Sequence, residues 1–227
     1  MTHSNAGRNL RGAFVAVTSL FFMWGFITVL VDALIPRLKD VFELTFLQAG
    51  LVQFAWFAAY GLLSIPGGNL ISKIGYQRGI LVGLATAGLG CLLFYPAAAT
   101  RMYPLFLLAL FVVAGGITVL QVAANPYISV LGPEESASAR LNLSQAFNSF
   151  GTTIAPVVAA SFLLGDQILT GEAIDALAES ERQAYFAAEA SAVQVPFVLL
   201  ALAFFLLAGV VGGIRLPKIL GDRGEGN

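Results

Sequence analysis

Charge is scarce in this sequence. Acidic and basic residues make up 11% of its 227 residues, against 58% hydrophobic, and the mean hydropathy is +0.83. Soluble domains are about a quarter charged, so the polar surface needed to coat a globule in water is missing. A membrane-embedded chain follows. The net charge of −1 gives no basic face for nucleic acid. Cys91 is the sole cysteine, which excludes an intrachain disulfide. The sole histidine, His3, lies in a polar leader, 1–11, so one chain can build neither a His-rich metal site nor a histidine triad. The HExxH and GxSxG patterns are also absent. These deficits point away from an enzyme and predict no cofactor and no metal.

What is abundant is apolar length. A span needs roughly 20 mostly apolar residues, and six segments qualify: 12–36, 45–70, 79–99, 103–130, 137–164 and 191–216. The expectation is an all-α membrane protein. The first run is too long for the apolar core of a signal peptide, roughly 7–15 residues, and it ends at Pro36. Thr45 fits an N-cap for the second. Pro126 interrupts the fourth, and the polar run Asn142 to Thr153 makes the fifth the most polar. The longest connection, 165–190, holds EAIDALAESERQAYFAAEA, which predicts an amphipathic interfacial helix leading into span six. The polar, Gly-rich tail 217–227 reads as a linker or a loose end.

Lysine and arginine set the orientation. With the N-terminus inside, Arg8, Arg11, Lys73, Arg78, Arg140, Arg215, Lys218 and Arg223 lie on the inner side. Arg37, Lys39, Arg101 and Arg182 lie on the outer side. Both termini are therefore expected in the cytoplasm. Glycine is plentiful, at 24 residues. Gly79 and Gly83 form a GxxxG pair continued by Ala87, and helix packing is its expected use.

Asp32 is the only charge between Arg11 and Arg37. An Asp at the centre of a membrane helix costs ~2.5–3.5 kcal/mol, and such residues face a bundle interior or a water-filled cavity. Thr28 and Trp24 precede Asp32 by one and two turns on the same face. A polar and aromatic face of this kind suits a ligand bearing hydroxyls. The competing use of Asp32 is a pairing with a neighbouring helix, but the six spans offer it no Lys or Arg away from their ends. Protonation would then let it occupy a dry site.

Span four carries Gln121 and Asn125, four apart, and span five carries Gln145 and Asn148, with Asn142, Ser149 and Thr152 nearby. A single amide serves best as glue between helices. A cluster spread over two helices fits a polar cavity equally well, and amides both donate to and accept from sugar hydroxyls. Asp32 before Pro36 in span one echoes Gln121 before Pro126 in span four. Interrupted helices at matching positions of two repeats point to a transporter's binding site.

Four stretches carry a resemblance: FFMWGFITVLVDALIP at 21–36, QAGLVQFAWFAAYGLLSIPGGNLISKIGYQRGI at 48–80, ITVLQVAANPYISVLGP at 117–133 and RLNLSQAFNSFGTTIAP at 140–156. The chain resembles the N-terminal six-helix half of a major facilitator superfamily (MFS) transporter, and within it the fucose permease and glucose/galactose transporter family. The stretch 68–79 resembles the superfamily's signature loop between helices two and three through Gly68, Lys73, Gly75 and Arg78. Ser72 stands where that loop usually has an Asp.

The resemblance implies half of an MFS fold, built from two inverted three-helix repeats. It also implies uptake of a hexose by alternating access, coupled to a proton or sodium, across a bacterial cytoplasmic membrane. Asp32 falls on the family's functional helix-one Asp and is implied as the cation-coupling residue. Trp24, Thr28, Gln121, Asn125, Gln145 and Asn148 become the implied substrate-binding set. Gly68, Lys73, Gly75 and Arg78 become the implied cytoplasmic gating loop. Gln121 matches an acidic position of fucose permease, so two-carboxylate coupling is not expected. The QVAANP form is like the glucose/galactose branch. Val31 replaces the usual Asn beside the Asp.

Family members have about twelve helices, and their sugar site lies between two six-helix halves. A second bundle is therefore expected. It could come from a parent transporter of which this chain is the excised or truncated half, from a separately encoded half, or from a second copy in a two-fold dimer. Two other functions compete. A six-helix channel lacks support, since Asn-Pro is followed by Tyr127 rather than Ala and no TVGYG filter occurs. A purely structural or assembly role predicts no sugar binding.

Overall fold

Apolar length becomes helix because backbone N–H and C=O groups in lipid find no water and must bond within their own segment. The computed structural model describes residues 2–41, 44–163, 169, 173–174 and 176–214. They form α1 Thr2–Val41, α2 Phe46–Ile74, α3 Tyr76–Thr100, α4 Tyr103–Val130, α5 Ala137–Leu163 and α6 Glu179–Gly213, with a 3₁₀ turn Glu134–Ser136 before α5. No strand occurs among the described residues.

Five of the helices are long and apolar enough to cross a membrane: Gly12–Ala33 within α1, then α2, α3, α4 and α6. The sixth, α5, contains the polar run and is not one of the five. The predicted span 103–130 coincides with α4. Thr45 caps α2 as expected. Its Oγ1 accepts from the Gln48 backbone N–H at 3.3 Å, while Gln48 Oε1 accepts from the Thr45 N–H at 2.9 Å.

Three boundaries differ from expectation. Helix α1 runs through Pro36 to Val41 rather than stopping there, and α4 runs through Pro126. A proline removes one donor, whereas ending a helix in lipid would strand several groups. Helices α2, α3, α5 and α6 also contain proline, at Pro66, Pro96, Pro156 and Pro196. The proline echo therefore marks no interrupted helix pair. The stretch 68–79 is not a loop either. Helix α2 extends to Ile74 and α3 begins at Tyr76, so Gly75 alone joins them. Its φ of +83° suits glycine, and its N–H donates to the Ile71 carbonyl at 2.8 Å. Lastly, the helix of span six starts earlier than 191: α6 runs from Glu179 through the second half of the predicted interfacial segment, of which Glu172 and Asp175 lie outside the described residues.

Packing gathers the helices around one continuous apolar core. Helix α3 lies against α4 and α6, and α1 lies against α5, while α2 leans on α4. The pairs α1–α5 and α4–α2 correspond when the first three helices are exchanged for the last three, the pattern of two three-helix repeats. The α3–α4 seam depends on the predicted small residues. A Cβ at Gly83 would meet the Gly116 carbonyl oxygen at 2.9 Å, and one at Gly116 would meet the Gly83 carbonyl oxygen at 2.7 Å. Phe94 ties in α6, stacked on Phe197 with centroids 3.6 Å apart, and its edge meets Phe106 of α4.

At the α1–α5 seam, a Cβ at Gly25 would fall on the Asn148 carbonyl oxygen, and one at Gly151 on that of Phe22. Thr18 and Ser144, both buried, share a hydrogen bond of 3.2 Å across this α1–α5 contact. Helix α2 is the least enclosed of the five membrane-length helices and presents Phe46, Phe54, Phe57, Leu62 and Ile65 on its exposed side.

Candidate functional site

Helices α1, α2 and α4 bring three of the sequence-predicted site residues, Trp24, Thr28 and Gln121, to one polar-aromatic patch. Trp24 and Thr28, half-buried on α1, lie one turn apart, and Thr28 Oγ1 donates to the Trp24 carbonyl at 2.9 Å. Gln121, half-buried on α4, donates through Nε2 to the Tyr60 hydroxyl of α2 at 2.9 Å. Trp24, Thr28 and Trp56 also lie within interaction range of that hydroxyl. Tyr60 is therefore the hub that joins the α1 and α4 positions. Trp56 supports it, with ring centroids 6.3 Å apart.

Asp32 lies one turn beyond Thr28 and is exposed on the bundle surface. It does not occupy an enclosed dry pocket. Gln53 of α2, also exposed, donates from Nε2 to Asp32 Oδ1 at 3.2 Å. An amide is a neutral donor, so this contact supplies no charge to neutralise a carboxylate. Asp32 is the second-last residue of the apolar stretch Gly12–Ala33, and a carboxylate within such a stretch faces a cavity or protein rather than lipid. The face carrying Asp32 and Gln53 therefore belongs against water or against more protein.

Gln121 and Asn125 share one side of α4, as their spacing predicts. Asn125 Oδ1 is buried and unpartnered among the described residues. A buried acceptor left in this state costs ~1–3 kcal/mol.

The α5 pair separates. Asn148 spends its amide on packing, since Nδ2 donates to the Phe21 carbonyl of α1 at 3.0 Å. Its backbone is also pressed against Gly25. Gln145, one turn away, is exposed on the bundle surface. Of the two readings open for a cluster of amides, glue describes Asn148, and an open polar face describes Gln145.

The four signature positions do not form one cluster. Gly68 sits inside α2, facing Val122 of α4, and Gly75 is the hinge residue between α2 and α3. Lys73 and Arg78 are exposed on either side of it, and neither makes an ion pair among the described residues. Ser72, in place of an Asp, turns back to donate to the Asn69 carbonyl at 2.9 Å. No His/Cys/Asp/Glu group suited to a metal ion occurs among the described residues.

Sequence reasoning missed Gln53 and Tyr60. Both are polar residues within the apolar run of α2, and that alone could have marked them. Their roles depend on which side of α2 meets α1 and α4, which neither hydropathy nor spacing reveals.

Comparison with known proteins agrees with this architecture. The profile of the Major Facilitator Superfamily matches residues 12–218. A glucose/galactose transporter of Brucella abortus is 48% identical over 100% of this chain and 53% of its own length. The L-fucose-proton symporter of Escherichia coli is 39% identical over 92% of this chain and 48% of its own. A crystal structure of a Major Facilitator Superfamily transporter in the outward conformation superposes with a TM-score of 0.83 at 38% identity, covering 94% of this chain and 52% of that one. This chain spans about half the length of the relatives it matches.

Proposed function

The chain belongs to the Major Facilitator Superfamily, and on that premise we propose that it is one half of a cation-coupled hexose transporter. It is an integral membrane bundle. A second six-helix bundle, either a C-terminal half or a second copy, closes over its polar face. A proton or a sodium ion binds at Asp32, while glucose or galactose binds across Trp24, Thr28, Gln121 and Asn125, with Gln145 contributing from the open side. The relatives named as glucose/galactose transporter and fucose-proton symporter support the sugar class, and the latter supports a proton as the coupling ion. The bias in Lys and Arg supports cytoplasmic termini, and the bacterial relatives support a bacterial inner membrane.

The observation that carries this reading is an exposed carboxylate at the end of the apolar stretch Gly12–Ala33. Asp32 has a single neutral donor, Gln53, beside a hydroxyl-and-amide patch centred on Tyr60. Alternating access needs a site that opens to either side as two bundles rock, and a one-sided polar face is what one bundle would contribute. The test is uptake of labelled glucose and galactose into proteoliposomes holding this chain, alone and with a matching second half, under an imposed proton or sodium gradient. Gradient-driven uptake that disappears in Asp32→Asn is the expected result. Coupling that survives intact in Asp32→Asn would remove Asp32 from the role assigned to it. Failure to bind or move either sugar in any pairing would favour an assembly role.

A further inference from the structure

Helices α4 and α5 carry Gln121, Asn125 and Gln145, yet they touch each other little, because each packs mainly on other helices. What joins them is Arg140, in the first turn of α5. Its Nε donates to the Ile128 carbonyl at 3.1 Å and one Nη2 hydrogen to the Ser129 carbonyl at 2.6 Å. Its Nη1 donates to the Pro133 carbonyl at 2.9 Å and to Ser136 Oγ at 2.6 Å. Ile128 and Ser129 lie in the last turn of α4, where carbonyls have no partner within the helix. Leu131, at the C-cap, is not in the left-handed conformation that commonly closes such an end. The guanidinium does that closing instead, and its charge faces the negative end of the α4 dipole. None of these four partners is a carboxylate.

Gly132 makes room for this arrangement. It has a φ of +133°, and a Cβ there would meet Arg140 Nη1 at 3.2 Å. A guanidinium presents five donors in a rigid fork, whereas an ammonium is a compact point charge. Only the fork can reach the α4 end, the connecting turn and Ser136 together.

We propose that Arg140 is a positioning residue: it fixes the end of α4 to the start of α5, so that Gln121 and Asn125 keep their register with Gln145. The link to sugar rests on the transport reading above, whereas the link between helices does not. The experiment uses the full chain with Cys91→Ser, spin-labelled through Val130→Cys on α4 and Leu143→Cys on α5, two exposed positions. Arg140→Lys keeps the charge and loses the fork. Gly132→Ala crowds the guanidinium while leaving Arg140 in place, so one variant remains informative if the other does not fold.

The parent chain is expected to give one narrow label-to-label distance. Both variants are expected to lose it to a broad distribution, with galactose affinity, read from Trp24 and Trp56 fluorescence, falling about tenfold. A distance that stays narrow in both variants overturns the proposal. A distance that broadens while affinity holds overturns the positioning role. If the parent itself binds no galactose, the transport reading fails, and the distance measurement alone still decides whether Arg140 joins the helices.

Discussion

Replacing Gly116 with alanine puts one methyl group into the seam between α3 and α4. The new carbon would lie 2.7 Å from the Gly83 carbonyl oxygen and 2.8 Å from Ala87 Cα, and closer still to the Ala87 nitrogen. All three are backbone atoms, so no rotamer change relieves the clash. The two helices must separate, and overpacking of this kind costs ~1–3 kcal/mol. Alanine also brings a helix-propensity gain of ~0.8–1.0 kcal/mol over glycine, which isolates the packing term when a control is chosen well. Gly209 is that control, because a Cβ there meets nothing within 4 Å. Gly116→Ala is expected to lose stability and Gly209→Ala to hold or gain it, a separation of ~1–3 kcal/mol between the two. Unfolding in mixed detergent, followed by far-UV circular dichroism, reads both. Equal stability of the two variants would refute the claim that α3 and α4 meet backbone to backbone.

Tyr60→Phe removes the acceptor for Gln121 while keeping the ring against Trp56, and galactose affinity is expected to fall about three- to tenfold, matching one hydrogen bond of ~0.6–1.5 kcal/mol; unchanged binding by fluorescence titration would remove Tyr60 from the site. Gln77 donates to the Val211 and Ile214 carbonyls at 2.8 and 2.6 Å, so Gln77→Ala should speed hydrogen exchange at the last turn of α6 and leave α4 untouched. Thr45→Ala should cost ~1 kcal/mol through loss of the α2 cap, measured in the same unfolding assay. Cys91 is fully buried, so maleimide labelling should wait on unfolding; rapid labelling of the folded chain would contradict its placement in the core.

Much of the scaffold is legible in the sequence because lipid leaves the backbone few choices. The span 103–130, the Thr45 cap and the packing use of Gly79 and Gly83 all follow from local rules. Pro36 misleads for the same physical reason. The rule that proline ends a helix assumes water can take the freed groups, and here it cannot. The site is less legible. Spacing correctly puts Trp24 near Thr28 and Gln121 near Asn125, since both pairs lie within one helix. Whether Asn148 serves a ligand or a neighbouring helix depends on α1, over a hundred residues earlier, presenting the Phe21 carbonyl to it. Tyr60 and Gln53 gain their meaning only from the side that α2 turns toward α1 and α4.

The pairing of α1 with α5 has a consequence for synthesis. While α2, α3 and α4 emerge, α1 has no complete partner: Gly25 lacks the Asn148 backbone and Thr18 lacks Ser144. About 100 residues separate the end of α1 from the start of α5, which at ~5–20 residues per second is a delay of ~5–20 s. Through that interval Asp32 sits on a helix already made but not yet packed. Mutations at Gly25 or Gly151 lengthen that exposed interval, and they should first show as degraded nascent chains rather than as a weaker finished protein.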